Sequence, residues 1–302
     1  MTEPRILITG ATGKTGTPVV DQLVERGYPV RALVHRLDDR SSHLSDLGAE
    51  VVVGDFHDLA SVRDAMKGVN RVYFCYPTQG ERLLEAAANI AIAVRDEGVE
   101  ALVNMSQIVA REKAKSPLSF QHWQSEQVLD WAGIGAVHIN PTFFAEDLYL
   151  FSGATIAADG KMYLPFGTER HAPVAAEDIA RVVVAILADP APHVGRRYVI
   201  TGSENMTLDE MAEVLTAELG KAVAYVDLPI EQWRTLLVEN VGFPEFLATH
   251  LAAVAQDHRD GLFSGATNVV ETITGRPPQS LAEFIRTHKS EFSSGPTSAR
   301  VA

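Results

Sequence analysis

The chain has 302 residues, 46% of them hydrophobic and 22% charged, with a formal net charge of -13 and a single cysteine, Cys75. That length buries a large core and suits one α/β domain with a smaller lobe better than two independent domains. The acidic balance disfavours nucleic acid and anionic membrane surfaces as direct partners, and one cysteine excludes an internal disulfide framework.

The start MTEPRILITG enters a β-rich run at once, and no apolar run approaches membrane-spanning length, so a cytoplasmic protein is expected. Residues 6–16, ILITGATGKTG, break a strand into three glycines spaced three apart before a helical pattern at 15–26. In a dinucleotide pyrophosphate site, Gly10 permits the tight turn, Gly13 lets backbone N–H groups approach the phosphates, and Gly16 lets the helix pack close to the sheet. Thr12, Lys14 and Thr15 complete that turn. The other reading is a nucleoside-triphosphate loop, since Gly13, Lys14 and Thr15 match its last residues, but Ile8 stands where that motif needs a glycine.

Further strands are predicted at 30–34, 51–54, 72–75, 101–105 and 136–140, alternating with helices at 59–66, 82–97, 119–132 and 143–157. Repeated βα units predict an α/β fold, a Rossmann-type doubly wound parallel sheet. The second strand ends in His35 and Arg36 with no carboxylate before Asp38, which favours a 2′-phosphate and hence NADP, NAD remaining open. After the third strand Asp55 can accept from an adenine amino group and Phe56 can flank the base, an ordinary turn being the alternative. Cys75, Tyr76 and Pro77 end the fourth strand at the same carboxyl edge, and Cys75 reads as buried rather than reactive.

After about residue 141 the alternation loosens into a strand pair at 161–164 and 197–201 and helices at 207–219, 230–239 and 245–257. Thr207 and Glu210 form a capping box, and a helix at 176–188 returns to the sheet. The expected organisation is a dinucleotide-binding domain over 1–157 with 176–201 returning to it, a smaller, mostly helical substrate lobe over 158–290, and a disordered tail at 291–302. His35, His43 and His57 are scattered with no HxxxH or CxxC, so no metal is expected, and no Gly-x-Ser-x-Gly elbow points to a serine hydrolase.

The segments GATGKTG, VRALVHR, VVVGDFHDLASVRDAMKGVNRVYF, HWQSEQVLDWAGIGAVHINPTFFAEDLY and PVAAEDIARVVVAIL together resemble the NmrA-like branch of the atypical short-chain dehydrogenases, over about residues 4–290. The branch includes NAD(P)H-dependent quinone and dye reductases and cofactor-sensing regulators that catalyse nothing. The superfamily's Tyr and Lys, counted back from Glu126, fall on Leu118 and His122, so the usual phenol is missing. The resemblance implies that His122 holds the nicotinamide ribose or donates a proton, a purely structural role being the alternative. Ser106, ending the fifth strand, is similar to the active-site serine and would orient a substrate carbonyl, unless it only satisfies local backbone. Asn140 takes the place of a common Arg before Pro141. Pro141, Phe143 and Phe144 would then border the nicotinamide and suit a flat ring, or be core.

The expectation is an NAD(P)H-dependent reductase passing hydride to a planar quinone-like or conjugated aromatic acceptor, with natural-product tailoring as one setting. Its rival is a non-catalytic NAD(P) sensor acting through a protein partner; a homodimer stays open. A sugar-nucleotide epimerase is disfavoured because it needs the absent Tyr.

Overall fold

A computed structural model describes residues 3–78 and 80–292; the tail predicted at 291–302 lies, beyond residue 292, outside them. In the first part of the chain β1 (Ile6–Ile8), β2 (Val30–Val34), β3 (Glu50–Val53), β4 (Arg71–Phe74), β5 (Ala101–Met105) and β6 (Val137–Pro141) alternate with helices. These are α1 (Gly16–Glu25), α2 (Asp39–Asp46), α3 (Leu59–Met66), α4 (Leu83–Glu97) and α5 (Pro117–Trp131). Then come α6 (Glu146–Asp159), β7 (Lys161–Leu164), α7 (Ala176–Ala188), β8 (Arg197–Ile200), α8 (Leu208–Leu219), β9 (Ala224–Asp227), α9 (Ile230–Leu236), α10 (Glu245–Arg259), α11 (Val269–Thr274) and α12 (Leu281–Thr287).

The large sheet has the order β3-β2-β1-β4-β5-β6-β8, with parallel pairing from β3 through β6. β8 is parallel too. His138 N–H donates to the Arg196 carbonyl and Thr142 N–H to the Ile200 carbonyl, both at 2.9 Å, so the two strands rise together. Every residue of β2, β5 and β6 is buried, as a sheet covered on both faces requires. Even Arg31 fits. Its guanidinium meets Glu50 at 3.0 and 3.1 Å and the Ala65 and Lys67 carbonyls at 2.8 and 2.9 Å, so no buried donor is stranded. The strand order reverses at β1, with β2 on one side and β4 on the other, which makes the carboxyl ends of these strands the switch-point crevice.

Residues up to Glu112, Phe120–Asn140 and Ala176–Tyr198 form one compact unit; Lys113–Ser119, Pro141–Ala175 and the residues from Val199 onward form another. Thus α7 packs with α1 in the first unit, while α6 belongs to the second.

Three expectations change. Strand 161–164 does not pair with 197–200; β7 pairs in parallel with β9, in register Lys161↔Ala224, and β8 joins the large sheet instead. β9 is a half-exposed four-residue strand whose weak apolar signal hides it in the sequence. The helix predicted from 143 starts at Glu146, because Phe144 is held in an isolated bridge with Val174. The helix predicted at 230–239 continues past Leu236 as a π-helical turn, Leu237–Val241.

The second unit encloses a histidine pair. His258 Nδ1 lies 3.0 Å from the Phe166 carbonyl, so it carries the proton; Nε2 then accepts from His171 Nδ1 at 2.7 Å. Burial pushes both histidines well below their ordinary pKa. His250, which accepts from the Ser116 hydroxyl at 2.7 Å, is pushed by burial down to about 4. Depressed histidine pKa values mean that the unfolded chain takes up protons first. The associated stability is therefore complete above about pH 6.5 and drains away as pH falls toward 4. His250 alone costs about 2 kcal/mol by pH 5. Thermal melts at pH 8 and pH 5 should differ by several degrees, and His250→Gln should shrink the difference; a pH-independent melting point would show that these rings charge without penalty.

Candidate cofactor site in the first unit

The glycine turn is built on a tie between β1 and β4. Thr9 Oγ1 donates to the Cys75 carbonyl at 3.2 Å and accepts from the Cys75 N–H at 2.8 Å. Gly10 leaves β1 at φ +58°, and a Cβ there would stand 2.8 Å from the Cys75 carbonyl oxygen. A Cβ at Gly16 would lie 2.1 Å from the Gly10 carbonyl oxygen, so the start of α1 cannot sit against the turn with any other residue. Gly13 differs from both. A Cβ there would meet only the Gly10 oxygen, at 3.1 Å, within 4 Å. A Cβ at Gly13 needs a few tenths of an ångström from one backbone oxygen, so the packing of the turn calls for glycine far less strictly there than at Gly10 or Gly16.

Thr15 turns its hydroxyl to the buried Tyr73 hydroxyl at 2.9 Å, so only its backbone can serve a ligand, and no side chain caps the N-terminus of α1. Those backbone N–H groups suit an anion. Thr12 is half-buried and Lys14 exposed on the same turn. Burial raises the Cys75 thiol pKa, in keeping with an inert side chain.

Beside the turn, the ends of β2, β3 and β4 enclose a pocket of about 190 Å³ lined by His35, Gly54, Asp55, Phe56, Tyr76 and Pro77 among others. The structure thus brings together residues predicted from three separate segments. His57 also lines it, a residue sequence reasoning had set aside as a stray histidine. Arg36 follows His35 with its side chain 75% exposed and its Nε 3.7 Å from Asp38. Asp38 is otherwise committed: its carboxylate caps α2 through the Arg40 and Ser41 N–H groups and pairs with the Arg40 guanidinium at 2.9 Å. The Arg40 hydrogen bond holds its pKa below the usual range. The first carboxylate after β2 is therefore a helix cap.

On α5, Leu118, His122, Glu126 and Asp130 recur every four residues and share one face. Glu126 is fully buried; it accepts from Asn140 Nδ2 at 2.8 Å and pairs with Arg197. Asp130 accepts from His138 Nε2 at 2.9 Å, and Asn104 Nδ2 lies 3.1 Å from His138 Nδ1. These bonds fix α5 on β5 and β6, and with it the buried His122. Ser106 donates its N–H to the Ile139 carbonyl at 2.8 Å, yet its buried hydroxyl has no hydrogen-bond partner among the described residues. It does not satisfy local backbone. The hydroxyls of Ser119 and Ser125 on α5 are buried without a partner too, so what sets Ser106 apart is its place at the carboxyl end of β5, on the edge of the sheet that carries the glycine turn.

The sequence profile of the NmrA-like family matches residues 2–285. The chain belongs to that family. It is 30% identical over 289 residues to an NAD(P)H azoreductase of Xenophilus azovorans, covering 95% of this chain and 99% of that one. It is also 30% identical to a (4-alkanoyl-5-oxo-2,5-dihydrofuran-3-yl)methyl phosphate reductase of Streptomyces griseus, over 95% of this chain and 99% of that one. Among solved structures, the NADPH-dependent quinone oxidoreductase QOR2 of Escherichia coli, complexed with NADPH, superposes with a TM-score of 0.82 at 26% identity, covering 94% and 99% of the two chains.

Within this NmrA-like chain Leu118, one turn before His122 on α5, is almost completely buried. Arg197, arriving on β8, supplies the cation for the buried Glu126, which also accepts from Asn140. Pro141, Phe143 and Phe144 lie in the second unit, where Phe143 packs edge-on against Phe166 at 4.9 Å as part of an aromatic core. Among the described residues no group of three or more His, Cys, Asp or Glu could hold a metal ion, and no helix is long and apolar enough to cross a membrane.

Proposed function

We propose that this protein is an NADPH-dependent reductase of small conjugated acceptors. The observation that carries the reading is the place of Ser106 Oγ, a buried hydroxyl at the carboxyl end of β5 with no hydrogen-bond partner among the described residues. The glycine turn and the pocket beside it fit the dinucleotide: Gly13 has room that only a ligand would use, and the N-terminus of α1 faces no side-chain cap. When bound, NADPH supplies the hydride. His35 and Arg36 would hold the 2′-phosphate, with Asp38 withdrawn into its cap, and Asp55 and Phe56 would receive the adenine. Ser106 would donate to the acceptor's developing negative oxygen or nitrogen, and His122 would either hold the ribose or return the proton.

Support for the acceptor class comes from the relatives' names. An azo bond, a quinone and an unsaturated lactone share an electron-poor π system, in which hydride at one end leaves a delocalised anion that a weak acid can protonate. Such acceptors tolerate Leu118 where a phenol would stand. Leu118 also favours a second reading, a nucleotide sensor without turnover.

The test is oxidation of NADPH and NADH by purified protein against quinones, azo dyes and unsaturated lactones, followed at the reduced nicotinamide absorbance. Acceptor-dependent turnover is expected; tight binding with no turnover on any acceptor would leave the sensor. Arg36→Ala should raise the Kd for NADPH about 30-fold, the worth of one charge-assisted contact, with NADH unchanged. Equal losses for both would show that Arg36 does not read the 2′-phosphate.

A further inference from the structure

His57 lines the 190 Å³ pocket and has no role in the proposed function. Its backbone is held in place first. The Asp55 N–H donates to Ser61 Oγ at 3.0 Å, and Asn89 Nδ2 donates to the Phe56 carbonyl at 2.8 Å, so α3 and α4 pin the turn from both sides. Within it the His57 N–H donates to Asp55 Oδ1 at 2.9 Å, and His57 Nδ1 lies 3.1 Å from the same oxygen.

Donor counting then orders the rest. A carboxylate only accepts, so a ring with one proton carries it on Nδ1 and leaves Nε2 as an acceptor. Its partner is the Tyr76 hydroxyl, 3.2 Å away, which in turn accepts from the Arg82 N–H at 3.3 Å. The chain Arg82 N–H to Tyr76 to His57 to Asp55 runs in one direction with each group used once in each role. It links the loop after β4 to the loop after β3. The Phe56 and Tyr76 rings stand 5.8 Å apart, so the same chain that orients Asp55 also sets the spacing of two aromatic walls. Both contacts fall on Oδ1, and Asp55 Oδ2 takes no part. Hydrogen bonding from the His57 backbone lowers the Asp55 carboxyl below its ordinary pKa.

We infer that His57 is a positioning residue that makes this pocket selective for adenine, by fixing the Asp55 carboxylate with Oδ2 available to a 6-amino donor and by tying it to Tyr76. Hypoxanthine, which carries an oxygen in place of the amino group, would turn lone pairs toward a carboxylate that cannot move away. The inference rests on the NADPH reading above and adds the source of base selectivity, which belongs to His57 rather than to Asp55 alone.

The experiment is isothermal titration of the full-length protein with NADPH and with its hypoxanthine analogue, nicotinamide hypoxanthine dinucleotide phosphate in reduced form. The unsubstituted protein should prefer NADPH about 30-fold, the worth of one hydrogen bond to a charged group. His57→Leu should weaken NADPH about 10-fold and leave the hypoxanthine analogue nearly unchanged, collapsing the ratio; His57→Asn, whose amide can stand in for Nδ1–H, should recover most of it. Tyr76→Phe removes one oxygen, is the variant least able to disturb folding, and should reduce the ratio about threefold. A large ratio that survives both His57→Leu and Tyr76→Phe overturns the positioning role while leaving the cofactor assignment intact. A ratio near one in the unsubstituted protein overturns it as well. Failure of the unsubstituted protein to bind either nucleotide removes the NADPH reading itself, and the inference with it.

Discussion

Replacing Gly13 by Val should raise the Kd for NADPH more than 100-fold and leave the melting temperature almost where it was. The two halves of that expectation come from one geometric fact. A Cβ at Gly13 meets the Gly10 carbonyl oxygen at 3.1 Å and no other atom within 4 Å, so the turn absorbs it with a shift of a few tenths of an ångström. Its γ-methyls, however, occupy the side of the turn that a pyrophosphate needs, and a phosphate displaced by a methyl group loses several charge-assisted bonds to backbone N–H groups together. Gly16→Ala is the contrast. Its Cβ would stand 2.1 Å from the Gly10 oxygen, which no local shift accommodates, so it should lower the melting temperature sharply whether or not nucleotide is present. Titration calorimetry and thermal melts on the two variants separate a glycine kept for a ligand from one kept for the fold. A Gly13→Val protein that binds NADPH normally would remove the pyrophosphate site from this turn.

Glycines of this kind are legible in sequence because their reasons are local. The turn, the strand before it and the helix after it lie within about twenty residues, and the apolar runs that became β1, β2, β5 and β6 carry the unbroken burial of a parallel sheet. What escaped was mostly long-range or weakly patterned. Arg197 pairs with Glu126 across 71 positions of sequence, and nothing near either residue announces the other. β8 and β7 each looked like a strand, but which partner each takes is decided by the whole fold, and β9 is too short and too exposed to signal itself. α2 is polar along most of its length and exists because Asp38 caps it; that same cap answers the question the sequence left open about a carboxylate after β2. α12 carried a legible sign, a Ser280–Glu283 capping box of the same form as Thr207–Glu210, that went unread beside a stronger one. His57 was weighed only as a metal ligand, where its isolation counted against it. Its significance lies in hydrogen-bond direction, which needs coordinates.

Ser106→Ala should lower turnover about 100-fold while leaving the protein as stable as before, or slightly more so. Loss of a donor aimed at developing negative charge typically costs about that much in rate. Loss of a buried hydroxyl that serves the fold would cost stability as well, but Ser106 Oγ has no partner among the described residues, so its removal takes away an unsatisfied group. The combination of slower chemistry and undiminished stability is what distinguishes a hydroxyl kept for a substrate from one kept for packing. His122→Ala divides differently. α5 is anchored below it by Glu126 to Asn140 and Arg197 and by Asp130 to His138, so removing the imidazole leaves the helix in register. If His122 donates the proton, kcat should fall about 100-fold with the Kd for NADPH unchanged, and the deficit should narrow toward low pH as hydronium takes over the donor's task. If it holds the ribose, the Kd should rise and kcat at saturating NADPH should recover. With Leu118 unable to titrate, Ser106 and His122 are the polar groups proposed to act on the acceptor, and a double variant as active as the unsubstituted protein would place the chemistry elsewhere.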